Sequence, residues 1–412
     1  MSSRTVTCVV VGAGQAGLAT SACLTERSID HVVLERGEVA HSWRTERWDS
    51  LRLLTPNWMT RLPGGGYTGP DPDGYMTAVE TARFLDRYRA TIAAPVECGV
   101  SVQRITTSDE GRFEVETDAG VWRARSVVIA TGACSDPHVP AVAEAFRPGT
   151  RHLTPIAYRN PDQIEPGRVL VVGASASGAQ IADELARHGH DVTVAVGNHV
   201  RLPRTYRGMD IHWWMDRVGV LDERLHDVDD VERVRRTPSL QLVGSSERRS
   251  IDLNALSAAG VNVTGRLAHA NDTHAQFSGS LANMLRSADL KMNRLLDQID
   301  EFASATGLAD EIGPDDRPGA TEVPAAPLQL RLDDVGTVVW ATGFRPRYPF
   351  LPDEWLDGRG RLVHDQGILP VPGAYVIGLP FLRRRASGFI DRVGLDAHEL
   401  CDHLLSSTLA SV

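Results

Sequence analysis

The sequence predicts an α/β chain in which one strand, turn, helix, strand unit occurs twice, the second copy inserted into the first. Three observations carry this. Residues 5 to 36 run from an apolar strand, Val6 to Val11, through a glycine turn into a helix-spaced segment, Ala16 to Arg27, and on to a short strand ending at Glu35. Residues 168 to 197 repeat that order: strand Val169 to Val172, turn Gly173 to Gly178, helix Ala179 to Arg187, strand Val192 to Val196. Gly17 is separated from Glu35 by the same interval as Gly178 from Val196, so the copies align without a gap. Third, Val127-Val128-Ile129-Ala130-Thr131-Gly132 and Val338-Val339-Trp340-Ala341-Thr342-Gly343 are apolar strands that both end in Ala-Thr-Gly and bracket the second unit. The expected domains are 1–163 with 332–412, and 164–331.

A chain of 412 residues is long for one core and suits two. Hydrophobic residues at 42% and charged residues at 23% describe an ordinary globular protein. The formal net charge of -10 argues against nucleic acid, because phosphate binding wants a basic face. Five scattered cysteines, Cys8, Cys23, Cys98, Cys134 and Cys401, include no C-x-x-C pair, so neither a disulfide framework nor a metal site is expected. The first apolar strand runs directly into a glycine turn, unlike a secretory segment, and no run approaches the roughly 20 apolar residues of a membrane span. The expectation is a cytoplasmic protein without a membrane partner. Further along, Ser280 to Ser304 has the spacing of one long packing helix and Gly313 to Pro327 the composition of a surface loop. The segment Ile211 to Val220, with Trp213 and Trp214 adjacent, is either a substrate lid or a buried aromatic pair.

Gly12-x-Gly14-x-x-Gly17, with Gln15 and Ala16 between its glycines, follows a strand and opens a helix, which makes it a Rossmann-like dinucleotide fingerprint. Gly12 allows the tight turn, Gly14 lets backbone approach a pyrophosphate, and Gly17 lets helix pack on strand. Glu35 stands where a carboxylate accepts hydrogen bonds from the ribose hydroxyls of FAD or NAD. The second copy, Gly173-Ala174-Ser175-Ala176-Ser177-Gly178, has Val196 in the position of Glu35, so no carboxylate there repels a 2'-phosphate. Arg201, Arg204 and Arg207 follow closely, and guanidinium groups suit phosphate. This favours NADPH over NADH, the alternative for these arginines being a solvated basic loop.

Together these features resemble the two-dinucleotide-domain flavoprotein monooxygenases: flavin-containing monooxygenases, Baeyer-Villiger monooxygenases and N-hydroxylases. Within the group the chain is most similar to the bacterial CzcO-like flavoproteins, through Ser42-Trp43-Arg44, the run from Trp48 to Pro56, Tyr158-Arg159-Asn160-Pro161 and the turn from Gly173 to Gly178. The resemblance implies an FAD site made from Gly12, Gly14, Gln15, Ala16, Gly17, Glu35, Arg36, Ser42, Trp43, Arg44, Thr131, Gly132, Gly378 and Leu379. Relatives often have Asp after that last glycine, where this chain has Leu379. An NADPH site would use Gly173, Ser175, Ala176, Ser177, Gly178, Arg201, Arg204, Thr342 and Gly343. Thr55 and Asn57 lie where relatives bring a loop to the flavin ring; Asn57 is then a candidate hydrogen-bond donor to a flavin hydroperoxide, or a turn-forming residue after Pro56.

The implied reaction is NADPH-dependent oxygenation of a small organic substrate by O2 through a flavin C4a-hydroperoxide, at nitrogen, sulfur or a carbonyl. A homodimer is possible on class grounds. The linker fingerprint of the Baeyer-Villiger enzymes is partly met by Phe146, Gly149, His152 and Tyr158, with His152 either catalytic or a residue of the hinge. Arg383, Arg384 and Arg385 are candidates for an anionic substrate, for cofactor phosphate or for a surface cap. The rivals are an NAD(P)H-dependent flavin reductase or oxidase that inserts no oxygen, and a nucleotide-binding regulator without turnover.

Overall fold

The computed structural model describes residues 3–108, 111–324 and 326–409. Its first sheet is built on β1 (Ser3–Val11), which lies between two parallel neighbours, β2 (His31–Glu35) and β6 (Gly120–Ile129). Beyond β2 comes β3 (Val96–Cys98); the other side continues through antiparallel β5 (Phe113–Thr117) and β4 (Val102–Thr107). Residues Cys8 to Val11 and His31 to Glu35 are buried throughout, as parallel strands covered on both faces require.

The second sheet repeats the first. Its central strand β8 (Arg168–Val172) lies between β9 (Val192–Ala195) and β11 (Val335–Trp340), with β10 (Asn262–Thr264) beyond β9 and β7 (Arg151–Leu153) beyond β11, all parallel. The first sheet resumes only at β12 (Ala374–Val376), which pairs with the end of β6. Strands β7 and β11 therefore both belong to the second sheet, whereas the expected boundaries put their residues in the first domain. The apolar run of β11 fills the place that β6 fills beside β1, and sheet pairing, not chain continuity, decides where it belongs.

The chain crosses between units twice, and the crossings lie side by side. His138 N donates to Gly343 O at 2.9 Å, Arg345 N to Asp136 O at 2.8 Å, and Thr342 Oγ1 to His138 O. A core cluster fastens the units further on, with Met59 and Ala386 from the first packed with Trp214, Leu242, Met292 and Leu296 from the second. The long helix α6 (Leu281–Ala305) supplies part of it, with Leu281, Leu285, Ala288, Met292, Leu296, Ile299 and Ala303 on its buried face. Trp214 is fully buried with its Nε1 donating to Tyr206 O at 2.8 Å, while Trp213 packs edge-on against it half-buried, so the pair is a core element.

Around this cluster runs a chain of ion pairs to the C-terminal helix α7 (Ile390–Leu409). Arg383 pairs with Glu399 at 3.1 Å, Arg384 with Asp396 at 2.8 Å and Glu399 at 2.5 Å, and Arg385 with Glu223. Arg224 reaches Glu399 from the second unit at 2.9 Å. Arg385 through Glu223 and Arg384 through Asp222 at 3.6 Å tie the units together, while Arg383 and the other Arg384 pairs fasten the segment to α7 of its own unit; Arg383 and Arg384 are buried and form no surface cap. Arg384 and Asp396 are 5% and 0% exposed at the side chain, so replacing Arg384 leaves a buried carboxylate without its partner. Arg384→Met is expected to cost about 3–5 kcal/mol and to lower the thermal midpoint of the full chain, read by circular dichroism, while Arg359→Met at an exposed position leaves it unchanged.

Candidate functional site

The two glycine turns sit at the carboxyl ends of their sheets and share one backbone geometry. Gly12 has φ 108° and Gly173 φ 110°, a region that favours glycine. Gly14 caps α1 (Gln15–Glu26) at φ -80°, ψ -172°, and Ser175 caps α4 (Ala176–Arg187) at φ -80°, ψ -170°. Neither cap residue gives a side-chain hydrogen bond to the helix, so the first N–H groups of both helices keep no side-chain acceptor. A Cβ on Gly14 would enter open space, as would one on Gly132 or Gly343. Backbone donors in front of open space at a helix N-terminus are what a diphosphate requires.

Glu35 is buried at the end of β2, with Oε2 accepting from Ala13 N at 2.8 Å and Oε1 from Gly37 N at 3.0 Å. It braces the glycine turn and retains further lone pairs on both oxygens. Ala13 O accepts from Ala40 N at 3.0 Å, which holds α2 (His41–Thr45) against the turn. Trp43 Nε1 then reaches Gln15 Oε1 at 3.4 Å, Arg44 Nε donates to Val39 O at 3.0 Å, and Arg36 pairs with Glu46 at 2.8 Å. Ser42 O accepts from Glu46 N in the same short helix. From the far end of the chain, Gly378 at φ 80° packs so closely on Ala16 that a Cβ would stand 2.8 Å from its methyl carbon, and Leu379 packs half-buried against the core. Thr131 and Gly132 follow β6 at the same edge. The structure thus brings the first-unit residues expected for FAD onto one rim.

Asn57 is differently placed. Its Nδ2 donates to Asp71 O at 2.9 Å and its Oδ1 accepts from Met76 N at 2.8 Å, with the side chain buried. The amide clasps the two ends of the 71–76 loop. Thr55 is half-buried just after Leu54, whose carbonyl accepts from Arg204 Nη1 at 2.7 Å.

The arginines after β9 correct the reading of the second site. Arg201 is 3% exposed and its guanidinium is occupied by Asp252 at 2.7 Å, Asp289 at 2.7 Å and Gly319 O at 2.8 Å. Arg204 is fully buried between Asp210 at 2.6 Å, His212 Nδ1 at 2.8 Å and Leu54 O. Arg207 pairs with Asp300 at 2.7 Å. Carboxylates capture all three, distant in sequence for Arg201 and Arg207 and six residues on for Arg204, and neither Arg201 nor Arg204 is available to a nucleotide phosphate. Arg204 instead fixes the loop before Thr55. Tyr75 Oη adds a 2.5 Å hydrogen bond to Asp210, and a Cβ on Gly244 would strike Leu53 O at 2.3 Å, so the second unit abuts the 52–57 segment directly. In the second turn, Gln241 Nε2 donates to Ala174 O at 2.6 Å, taking the place Ala40 N takes in the first.

His152 stacks on Trp340 and accepts its indole N–H at Nδ1, 2.8 Å away, which requires that nitrogen unprotonated. Burial pushes its pKa down in the same direction. With Phe146 edge-on, it is an aromatic joint in the β7–β11 pair. Two motifs that carry the resemblance also meet: Asn160 Nδ2 donates to Asp49 Oδ2 at 2.7 Å, and Tyr158 Oη to Glu184 of α4 at 2.7 Å.

The family model for pyridine nucleotide-disulphide oxidoreductases matches residues 9–215. An uncharacterized CzcO-like oxidoreductase of Geobacillus kaustophilus is 30% identical over 401 residues, 97% of this chain and 98% of that protein. Indole-3-pyruvate monooxygenase YUCCA1 of Oryza sativa subsp. japonica is 33% identical over 210 residues, 49% of this chain and 50% of its own. A flavin-containing monooxygenase from Stenotrophomonas maltophilia shares the fold at TM-score 0.67 and 22% identity, over 98% of this chain and 99% of that one.

The Arg204 cluster has a pH signature. Burial pushes the Asp210 carboxyl up, but its hydrogen bond to His212, the Arg204 charge and Tyr75 outweigh that and hold it at about 2, below the ordinary 3.8. A depressed carboxylate contributes stability that is present above its unfolded value and is lost as pH falls through its folded value. Urea midpoints measured between pH 5 and pH 2 are expected to fall more steeply for the native chain than for Asp210→Asn, with the native chain the more stable at pH 7.

Proposed function

We propose that this chain, which belongs to the pyridine nucleotide-disulphide oxidoreductase family and to the CzcO-like oxidoreductases, is an FAD-dependent monooxygenase that consumes NADPH and O2 to oxygenate a small organic substrate. The observation that carries the reading is the pair of superimposable glycine turns, each at the carboxyl edge of its own parallel sheet, in one chain with two adjoining crossovers. The first turn has the buried carboxylate Glu35 beside it and suits the ribose of FAD. The second has Val196 there and suits a nucleotide with a 2'-phosphate. The residues fit both groups: open space before Gly14, Gly132 and Gly343 is where diphosphates would lie, and Gly12, Gln15, Ala16, Gly17, Trp43 and Gly378 would enclose the FAD end. Gly173, Ser175, Ala176, Ser177, Gly178, Thr342 and Gly343 would hold NADPH.

FAD, when bound, supplies the electron transfer and oxygen activation. The chain's own work is placement and exclusion of water. Arg204 and Asn57 fix the 52–57 segment from two sides, one through Leu54 O and the other through the 71–76 loop, so Thr55 is presented on a loop with little freedom. Parts of the 205–250 and 380–396 segments meet in one apolar cluster, where half-buried Trp213 and Phe389 pack beside Met59, and a substrate bound near the 52–57 segment would meet this partly aromatic wall. Dithiol relay chemistry has no support here: no C-x-x-C occurs, and Cys8, Cys23 and Cys401 are buried in the core. Among the described residues no helix is long and apolar enough to cross a membrane, and a cytoplasmic homodimer is the setting we propose.

Oxygen uptake separates this reading from a flavin reductase or oxidase. With substrate present, NADPH and O2 are expected to be consumed one to one with little return of oxygen on adding catalase. Return of half the consumed oxygen as O2 on adding catalase, under every substrate tried, places the protein among the oxidases, and no NADPH consumption places it among the regulators.

A further inference from the structure

With Arg201, Arg204 and Arg207 each bound to carboxylates, the recognition of a 2'-phosphate must come from elsewhere if the second site takes NADPH, and the inference here rests on that reading. The duplication locates the place. In the first sheet the ribose edge is set by Glu35 at the end of β2, beside the end of β3. The equivalent strands of the second sheet are β9 and β10, paired from Thr193 with Asn262 to Ala195 with Thr264. Val196 continues this pairing, its N donating to Thr264 O at 2.9 Å, and is fully buried. The next residue is Gly197. The space its missing Cβ leaves is bordered by Arg266, with Nε at 3.8 Å and Nη2 at 3.9 Å from where that carbon would be.

Arg266 emerges two residues past β10 at the same sheet edge. Its backbone is fixed: Ser278 N donates to Arg266 O at 2.9 Å, and a Cβ on the preceding Gly265 would stand 2.0 Å from Ser278 O. Opposite it, His199 Nδ1 lies 3.1 Å from Gly197 O, where only an N–H serves, and so holds the 197–199 turn in shape. Arg266 Nη2 donates to Asn198 Oδ1 at 3.2 Å, and the side chain is exposed. Among the described residues no carboxylate lies within ion-pair distance of it. This sets it apart from the three buried or paired arginines nearby: its remaining N–H groups face outward at the rim where the adenosine ribose of a dinucleotide on β8–α4 would lie. We propose that Arg266, braced by Asn198 and given room by Gly197, is the residue that recognises the 2'-phosphate and sets the preference for NADPH over NADH. A planar guanidinium can take two phosphate oxygens at once, and no acid at position 196 opposes it.

The test is calorimetric binding to the FAD-loaded full chain, with 2',5'-ADP and 5'-ADP as probes and no turnover. The native chain is expected to prefer 2',5'-ADP. Arg266→Gln is expected to weaken 2',5'-ADP about tenfold or more while leaving 5'-ADP unchanged, and Arg266→Glu to abolish the preference. A native preference that survives both substitutions overturns the assignment of Arg266 and leaves the NADPH reading standing. A native chain that binds neither probe, or both equally, overturns the NADPH reading and this inference with it. The substituted side chain is exposed, and unchanged thermal midpoints exclude misfolding as the cause of lost binding.

Discussion

A side chain on Gly17 would stand 1.8 Å from the Gly12 carbonyl oxygen, and one on Gly178 would stand 2.0 Å from that of Gly173. Real carbon atoms cannot approach so closely, so each helix rests on its own glycine turn only because the hydrogen of glycine is there instead. That contact sets the start of α1 and α4, aims their first N–H groups at open space, and fixes the parallel strand that must follow each helix. The partner strand closes the arrangement: a Cβ on Gly12 would meet Ala130 O at 2.7 Å, and one on Gly173 would meet Ala341 O at 2.3 Å. Both Ala-Thr-Gly segments therefore lie against the turns, and the glycines after them border the same rims. Two sites of one design follow from one steric constraint used twice.

What distinguishes the sites is electrostatic. Glu35 stands beside the first turn and Val196 beside the second, and on the proposed reading this difference selects against or permits a phosphate on the ribose. Away from the turns, the arginines act chiefly as struts. Arg201 draws Asp252 and Asp289 together, Arg204 links Asp210 to Leu54 O, and Arg384 joins Asp396 and Glu399. A guanidinium can do this because it presents several donors in a plane and remains charged when buried. The cost of burying each charge is offset only when its partners are in place, so the Arg204 cluster, which reaches from Asp210 across to Leu54 O, demands a particular seating of the second unit on the first.

The turns, the helices after them and the duplication were legible in the residues, because strand and helix periodicity and the glycine spacing are local. So was α6, whose buried positions follow helical spacing from Leu281 to Ala303. Sheet membership was less so: β7 and β11 reveal their neighbour only through pairing, which is why the boundaries at 163 and 331 missed them. The roles of Arg201 and Arg204 were illegible for a similar reason. Their carboxylates lie at Asp252, Asp289 and Asp210, and nothing in a run of basic residues tells which will be captured by acids brought near by folding. The contacts of the Asn57 amide to Asp71 and Met76 are likewise set by a loop that comes after it in the chain and leave no mark on its neighbouring residues. Arg266 carries no local motif; the signal that finds it is the alignment of β10 with β3, visible only once both sheets are laid side by side.

The central claim is that one chain holds two different dinucleotides, FAD at the first turn and NADPH at the second, in electronic contact. Anaerobic mixing of the purified FAD-loaded protein with NADPH, followed by the flavin absorbance, tests it most directly. Bleaching of one flavin per chain by one equivalent of NADPH is the predicted result. A protein that retains no flavin, or whose flavin stays oxidised under excess NADPH, contradicts the account.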